Sequence, residues 1–214
     1  MADYKQEFVS FLLETGALKF GEFTLKSGRK SPYFLNLGNF NTGAELSRLC
    51  GFYADAILAS GVDFNLVFGP AYKGIPLAAG TAIELSRKTN GTYNFAFDRK
   101  EVKDHGDGGM FVGKTPSDGD KIIIIDDVIT SGKATGETVA KLSPIHGIKI
   151  NALFTAVDRS EKSLDNDKSA SANVSDAYGF PVYSVVTIYD ILDTLTDTAA
   201  VTAIKGYLAE YGAK

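Results

Sequence analysis

The stretch IIIIDDVITSGKAT, residues 122–135, carries the reading of the whole chain. Its isoleucines are β-branched and apolar, so they favour a strand. After Lys121 that strand has no polar interruption, which suits a parallel sheet covered on both faces. Asp126 and Asp127 follow at the point where the strand should emerge. Thr130, Ser131 and Gly132 come next, and the spacing predicts a helix from Lys133, stopped near Pro144. Small and hydroxylated residues ahead of a helix leave backbone N–H groups free to hold a phosphate. The helix N-terminus adds partial positive charge. Two carboxylates beside a phosphate would repel it, so they need another task. Accepting hydrogen bonds from sugar hydroxyls is one, and interacting with a magnesium-bound ligand is another. Capping explains one aspartate but not a pair followed by Thr-Ser-Gly.

Outward from this segment, the pattern of strand, loop and helix repeats. Upstream, VDFNLVF (62–68) reads as a strand, GPAYKG (69–74) as a loop, IPLAAGTAIELSRK (75–88) as a helix and YNFAF (93–97) as a strand. Downstream, INALFTAV (150–157) and PVYSVV (181–186) read as strands, and Val201, Ile204, Leu208 and Tyr211 mark a terminal helix. Near the N-terminus, Tyr4, Phe8, Phe11 and Leu12 follow helical spacing. Residues 23–38 read as two extended pieces around a Ser-Gly turn. Thr42 with Glu45 forms a capping-box pattern before a helix that should end near Gly61. Residues 98–120 are polar and glycine-rich and are expected to be mobile; residues 160–176 are expected to be a solvated loop. The alternation predicts an α/β fold, an open and mostly parallel twisted sheet flanked by helices, in one domain over residues 1–214. Ligands of such sheets bind at the carboxyl ends of the strands, here after Phe68, Phe97, Ile125 and Val157.

Composition narrows the function. One cysteine, Cys50, excludes an intramolecular disulfide and a cysteine metal cluster, and His105 and His146 cannot build a three-histidine zinc site. The formal net charge of -4 disfavours a general attraction to nucleic acid. No apolar run approaches the roughly 18 residues of a membrane span, and MADYKQEF lacks a signal peptide's apolar core. A cytoplasmic location is expected.

Residues 122–135 resemble the signature of type I phosphoribosyltransferases: hydrophobic residues, two acids, then a Thr/Gly-rich phosphate loop. Other segments resemble the orotate phosphoribosyltransferase family within that class: LKSGRKSPYF (25–34), NTG (41–43), FGPAYKGIPLA (68–78), DRKEVKDHGDGG (98–109) and the VDR that ends at Arg159. The resemblance implies the type I fold with a small N-terminal hood, mainly from residues 1–40, and a catalytic loop at about 98–115. It implies transfer of 5-phosphoribosyl from phosphoribosyl pyrophosphate (PRPP) to orotate in pyrimidine biosynthesis. It assigns Lys26, Tyr72, Lys73 and the run Asp126, Asp127, Val128, Ile129, Thr130, Ser131, Gly132, Lys133 and Ala134 to PRPP. Phe34, Leu35, Thr130 and Arg159 fall to orotate, and Arg99, Lys100, Lys103 and His105 to the catalytic lid. Magnesium, held mainly by PRPP, is the implied cofactor, and a homodimer sharing the loop across its interface the implied assembly. Leu35 departs from the two phenylalanines common in the family at Phe34-Leu35, which puts stacking by that side chain in doubt.

A formal GxxxxGK[ST] match at residues 108–115 lacks the preceding buried strand and following helix of a nucleotide triphosphatase loop. Cys50 and His146 read as structural. Two other functions fit the same fold: transfer to another base, against which Lys26 and Arg159 argue, and a non-catalytic RNA-binding regulator, which would want a broad basic face. A fused decarboxylase is not expected.

Overall fold

The computed structural model describes residues 3–25, 27–103 and 109–213. A six-stranded sheet forms its centre. Its strands are β3 (Leu66–Gly69), β4 (Asn94–Lys103), β5 (Gly109–Gly113), β6 (Lys121–Ile125), β7 (Lys149–Asp158) and β8 (Val182–Thr187). They lie in the order β5-β4-β3-β6-β7-β8, all parallel except β5. The isoleucine run becomes the second of the two middle strands, and its side chains divide between the faces. Ile123 and Ile125 join Val67, Ala152 and Phe154 in the larger core. Ile122 and Ile124 join Leu66, Phe68 and Leu153 in the other. All four are buried, and truncating any one to alanine costs about 2–5 kcal/mol.

Helices cover both faces. α1 (Asp3–Glu14), α2 (Gly43–Ser60) and α3 (Gly74–Thr89) supply Phe8, Phe52 and Leu77 to the larger core. α4 (Lys133–Leu142) and α5 (Ala170–Tyr178) supply Leu142 and Val174 to the other. The capping box at Thr42 and the left-handed stop at Gly61 form as the sequence predicts. A separate antiparallel pair, β1 (Leu18–Thr24) and β2 (Lys30–Leu35), meets the terminal helix α7 (Thr198–Tyr211) through Tyr33 and Tyr207, whose rings cross edge to face at 6.2 Å.

Topology creates a crevice. From β3 the chain winds outward to β4 and β5, then returns to lay β6 on the other side of β3. Winding therefore reverses between β3 and β6, and α3 and α4 leave on opposite faces. In open α/β sheets that reversal, at the carboxyl edge, is where ligands bind.

Three elements differ from expectation. Residues 98–103 and 109–113 are not an irregular loop: β4 runs on past Phe97 and β5 returns beside it, pairing Phe97 with Val112 and Asp98 with Phe111. The Phe111 ring anchors this ribbon edge-on against Phe68, centroids 5.9 Å apart. The solvated loop expected at 160–176 gives way to α5 at Ala170, capped by Ser169 and pinned by buried Val174. A short helix, α6 (Ile188–Thr194), follows β8 without having been foreseen; Thr187 and Asp190 form its capping box.

Candidate active site

A cleft of about 410 Å³ opens at the reversal. One wall is the turn Pro70–Lys73 between β3 and α3, and the other is Asp126–Thr135 between β6 and α4, with Glu137 beyond. Both walls end in a helix start, and those starts differ from the four others whose caps are described. α2, α5, α6 and α7 each begin under a side chain that accepts a backbone N–H: Thr42, Ser169, Thr187 and Asp197. α3 and α4 begin at Lys73 and Gly132 with no side-chain cap. A cap contributes about 1 kcal/mol, and at α4 its omission leaves N–H donors for another acceptor; at α3 the Gly74 and Ile75 N–H groups bond Pro70 O and Tyr72 O, and Pro76 has none. Gly132 has φ 72°, and a Cβ there would lie 2.8 Å from a Val174 methyl. Only glycine turns this corner without strain.

The acidic doublet sits between the two helix starts. Its backbone is rigid: Asp126 N–H donates to Phe154 O at 3.0 Å, and Asp127 O accepts from Ala156 N–H at 3.0 Å. From below, the buried Tyr53 hydroxyl donates to Asp126 O at 2.8 Å. The Asp126 carboxylate accepts the Asp127 N–H at 2.8 Å, and Asp127 accepts the Val128 N–H at 2.8 Å. Asp127 also pairs with Lys73, closing the cleft across its width. Burial pushes the Asp126 carboxyl up to about 6; the neighbouring Asp127 charge adds to the rise, while the Asp127 N–H and Lys73 oppose it. An acid so placed is sensitive to any donor brought into the cleft.

The cleft thus brings together Tyr72, Lys73 and the whole run from Asp126 to Ala134. Tyr72 stands out into solvent, and the Lys100 ammonium lies 5.7 Å from its ring centre, so the β4-β5 ribbon leans over the 70–73 turn. Arg99 lies beside Lys100 on β4, and Lys103 ends that strand. Lys26 and His105 lie outside the described residues. Arg159, Phe34 and Leu35 are not among the residues lining this cleft. Arg159 follows β7 at the same carboxyl edge. Its guanidinium lies 4.3 Å from the Tyr33 ring centre, donates to Glu161 through Nε at 2.8 Å, and reaches Ser31 Oγ at 3.2 Å. Phe34 is 38% exposed and stacks on Phe23 at 5.4 Å, while half-buried Leu35 packs against the core.

Sequence reasoning missed three residues that organise this edge: Tyr53, Asp98 and Glu161. Glu161 accepts from Arg159 and from the Tyr33 hydroxyl at 3.0 Å, with Arg29 at 3.8 Å. One partner, Tyr33, is 128 residues away in sequence and Arg29 is further still, so no local spacing marked it. Burial, reinforced by Glu161 against the opposing Arg159 charge, raises the pKa of the Tyr33 hydroxyl and keeps it a donor. Asp98 was read as part of a loop.

Comparison with known proteins agrees with this fold. The phosphoribosyl transferase domain family matches residues 38–184. An orotate phosphoribosyltransferase of Bifidobacterium adolescentis is 45% identical, the match covering 99% of both chains. One from Pseudomonas aeruginosa is 44% identical, over 99% of this chain and all of the other. The crystal structure of orotate phosphoribosyltransferase from Francisella tularensis superposes with a TM-score of 0.88 at 42% identity, covering 97% of this chain and 100% of that one.

Proposed function

The chain belongs to the orotate phosphoribosyltransferases, and from that membership we propose how its own residues divide the work. The reaction moves 5-phosphoribosyl from PRPP to orotate, giving orotidine 5'-phosphate and pyrophosphate, in de novo pyrimidine biosynthesis. One observation carries the division of roles: the two helix starts without side-chain caps face each other across an acidic doublet.

The amides from Thr130 to Ala134, with the Thr130 and Ser131 hydroxyls, take the 5-phosphate. Asp126 and Asp127 accept the ribose hydroxyls. The 70–73 turn takes the pyrophosphate: Lys73 exchanges Asp127 for phosphate oxygens, and Tyr72 borders them. Lys26 belongs to the same donor site. Orotate carries a carboxylate, and Arg159 is the cation for it, with Phe34 and Leu35 lining the base pocket and Thr130 between the substrates. Arg159 is pre-aligned by Glu161 and Tyr33, so less side-chain entropy is lost on binding.

The transition state has oxocarbenium character at the anomeric carbon, so the protein's contribution is placement and electrostatics. Arg99, Lys100 and Lys103 of β4, together with His105, offset charge on the leaving pyrophosphate and exclude water. Among the described residues no group of three or more His, Cys, Asp or Glu side chains is placed to hold a metal ion. Two carboxylates fit magnesium that keeps most of its oxygen ligands from the substrate, with Asp126 and Asp127 nearest. When bound, that ion neutralises pyrophosphate charge.

A homodimer and a cytoplasmic location go with this reading. Among the described residues no helix is long and apolar enough to cross a membrane. An apolar face on α3, where Ile83 is 58% exposed beside Tyr93 and Phe95, supports the dimer.

Pyrophosphate release tests the reading, with orotate, uracil, hypoxanthine and adenine offered in turn with PRPP, with and without magnesium. Release with orotate and magnesium is expected; release with a purine instead contradicts it. Lys103→Ala and His105→Ala should lower kcat by about 100-fold or more while donor affinity changes little. Unchanged turnover in both removes the lid from the mechanism.

A further inference from the structure

Asp98 is 3% exposed, yet it is neither a core residue nor one of the residues lining the cleft. It lies where β4 passes the edge of β3 and continues into the ribbon: Phe97, one residue earlier, is the last to pair with β3. One carboxylate oxygen accepts the Ala71 N–H at 2.7 Å. The other is ion-paired with Lys141, in the last turn of α4. A buried carboxylate is costly unless its oxygens are satisfied. Here both are, and the partners come from the two elements that wall the cleft.

The turn that receives this hydrogen bond is tight. A Cβ on Gly69 or on Gly74 would overlap the backbone of the other. Gly74 N–H donates to Pro70 O at 3.0 Å, closing the turn's base. Its outer limb, Ala71, is held by Asp98. Lys100, two residues further along the same strand, lies over the Tyr72 ring. The ribbon therefore touches the 70–73 turn twice, once by a buried charge and once at the surface.

We propose that Asp98 is a positioning residue for pyrophosphate: it aims the 70–73 turn and joins that turn to the ribbon that carries the lid. It touches no substrate. The inference rests on the reading of the 70–73 turn as the pyrophosphate subsite. It separates that subsite from the 5-phosphate loop, whose amides Asp98 does not contact.

Two probes read the two subsites by calorimetry: inorganic pyrophosphate with magnesium, and ribose 5-phosphate. Asp98→Ala should weaken pyrophosphate about tenfold or more, since a charge-assisted hydrogen bond is lost, and leave ribose 5-phosphate within about twofold. Asp98→Asn keeps an acceptor for Ala71 and should recover most of the pyrophosphate affinity. Lys141→Met keeps the Ala71 bond but frees the carboxylate to turn, so a loss of about threefold for pyrophosphate alone is expected, and it serves if Asp98→Ala does not fold. Equal weakening of both probes in either variant means a structural role only and overturns the proposal, as does unchanged pyrophosphate affinity in the folded variants. Wild-type protein that binds neither probe overturns the functional reading as well.

Discussion

Two parallel strands of the same sheet, β6 and β8, each turn into a helix at the carboxyl edge, and each turn carries aspartate. They resolve the same problem in opposite ways. After β8, Asp190 accepts the Thr187 N–H at 2.8 Å and Lys5 at 3.0 Å, and the Thr187 hydroxyl caps the helix in return. Burial works against the Asp190 charge, but the Thr187 N–H and Lys5 outweigh it and hold the carboxyl below the usual range. After β6, Asp126 has a raised pKa, Gly132 starts α4 without a cap, and Thr130 and Ser131 are exposed. One junction satisfies itself. The other keeps donors and charge unspent, which stabilises the fold less and leaves partners for a ligand.

The largest expected effect separates the junctions by activity. Asp126→Asn combined with Asp127→Asn should cut pyrophosphate release by about 100-fold or more, because ribose hydroxyls lose charged acceptors. Asp190→Asn should leave turnover within about threefold. Equal losses would erase the comparison.

Gly132→Ala comes next. A left-handed φ and the Val174 contact should cost about 1–2 kcal/mol of stability and weaken ribose 5-phosphate about tenfold. Gly179, the left-handed stop of α5, has open space for a Cβ and lies outside the cleft lining, so Gly179→Ala should cost stability without weakening that ligand.

The third contrast is in stability against pH, read by urea unfolding. Asp126 ionises near 3.8 when unfolded and near 6 when folded. Its ionisation therefore costs stability as pH rises past 3.8, and the cost is complete above about 6. Asp126→Asn should be more stable than wild type at pH 7.5, by on the order of 1–3 kcal/mol, and the gain should vanish below pH 4. Asp190 has the opposite sign. Its contribution is present above its unfolded pKa and is lost as pH falls through the lower folded value. Asp190→Asn should cost about 1 kcal/mol at pH 7.5, with the deficit fading in acid.

The same contrast explains what could be read from residues alone. Residues 122–135 were legible because strand, doublet and phosphate turn are contiguous, and the apolar run and the turn chemistry are both local signals. Five of the sheet's six strands followed from the same alternation. The β4-β5 ribbon was not legible, because an edge ribbon needs few apolar anchors. Phe111 supplies one, and the residues that precede GMFVG, 98–108, are mostly charged or glycine. α5 was hidden because SASANVSDAY buries only Val174. Asp98 and Glu161 were hidden because their value lies in partners such as Lys141 and Tyr33, 43 and 128 residues away, which only the fold brings near.

Hydrogen exchange on the wild-type protein, with and without PRPP and magnesium, tests most directly whether the uncapped start of α4 receives the donor. Amides of residues 130–135 should slow markedly on binding, while those of Thr187 and Asp190, already bonded to each other's side chains, should not change. Binding that leaves residues 130–135 exchanging at their original rate, or that slows Thr187 and Asp190 equally, would contradict the account.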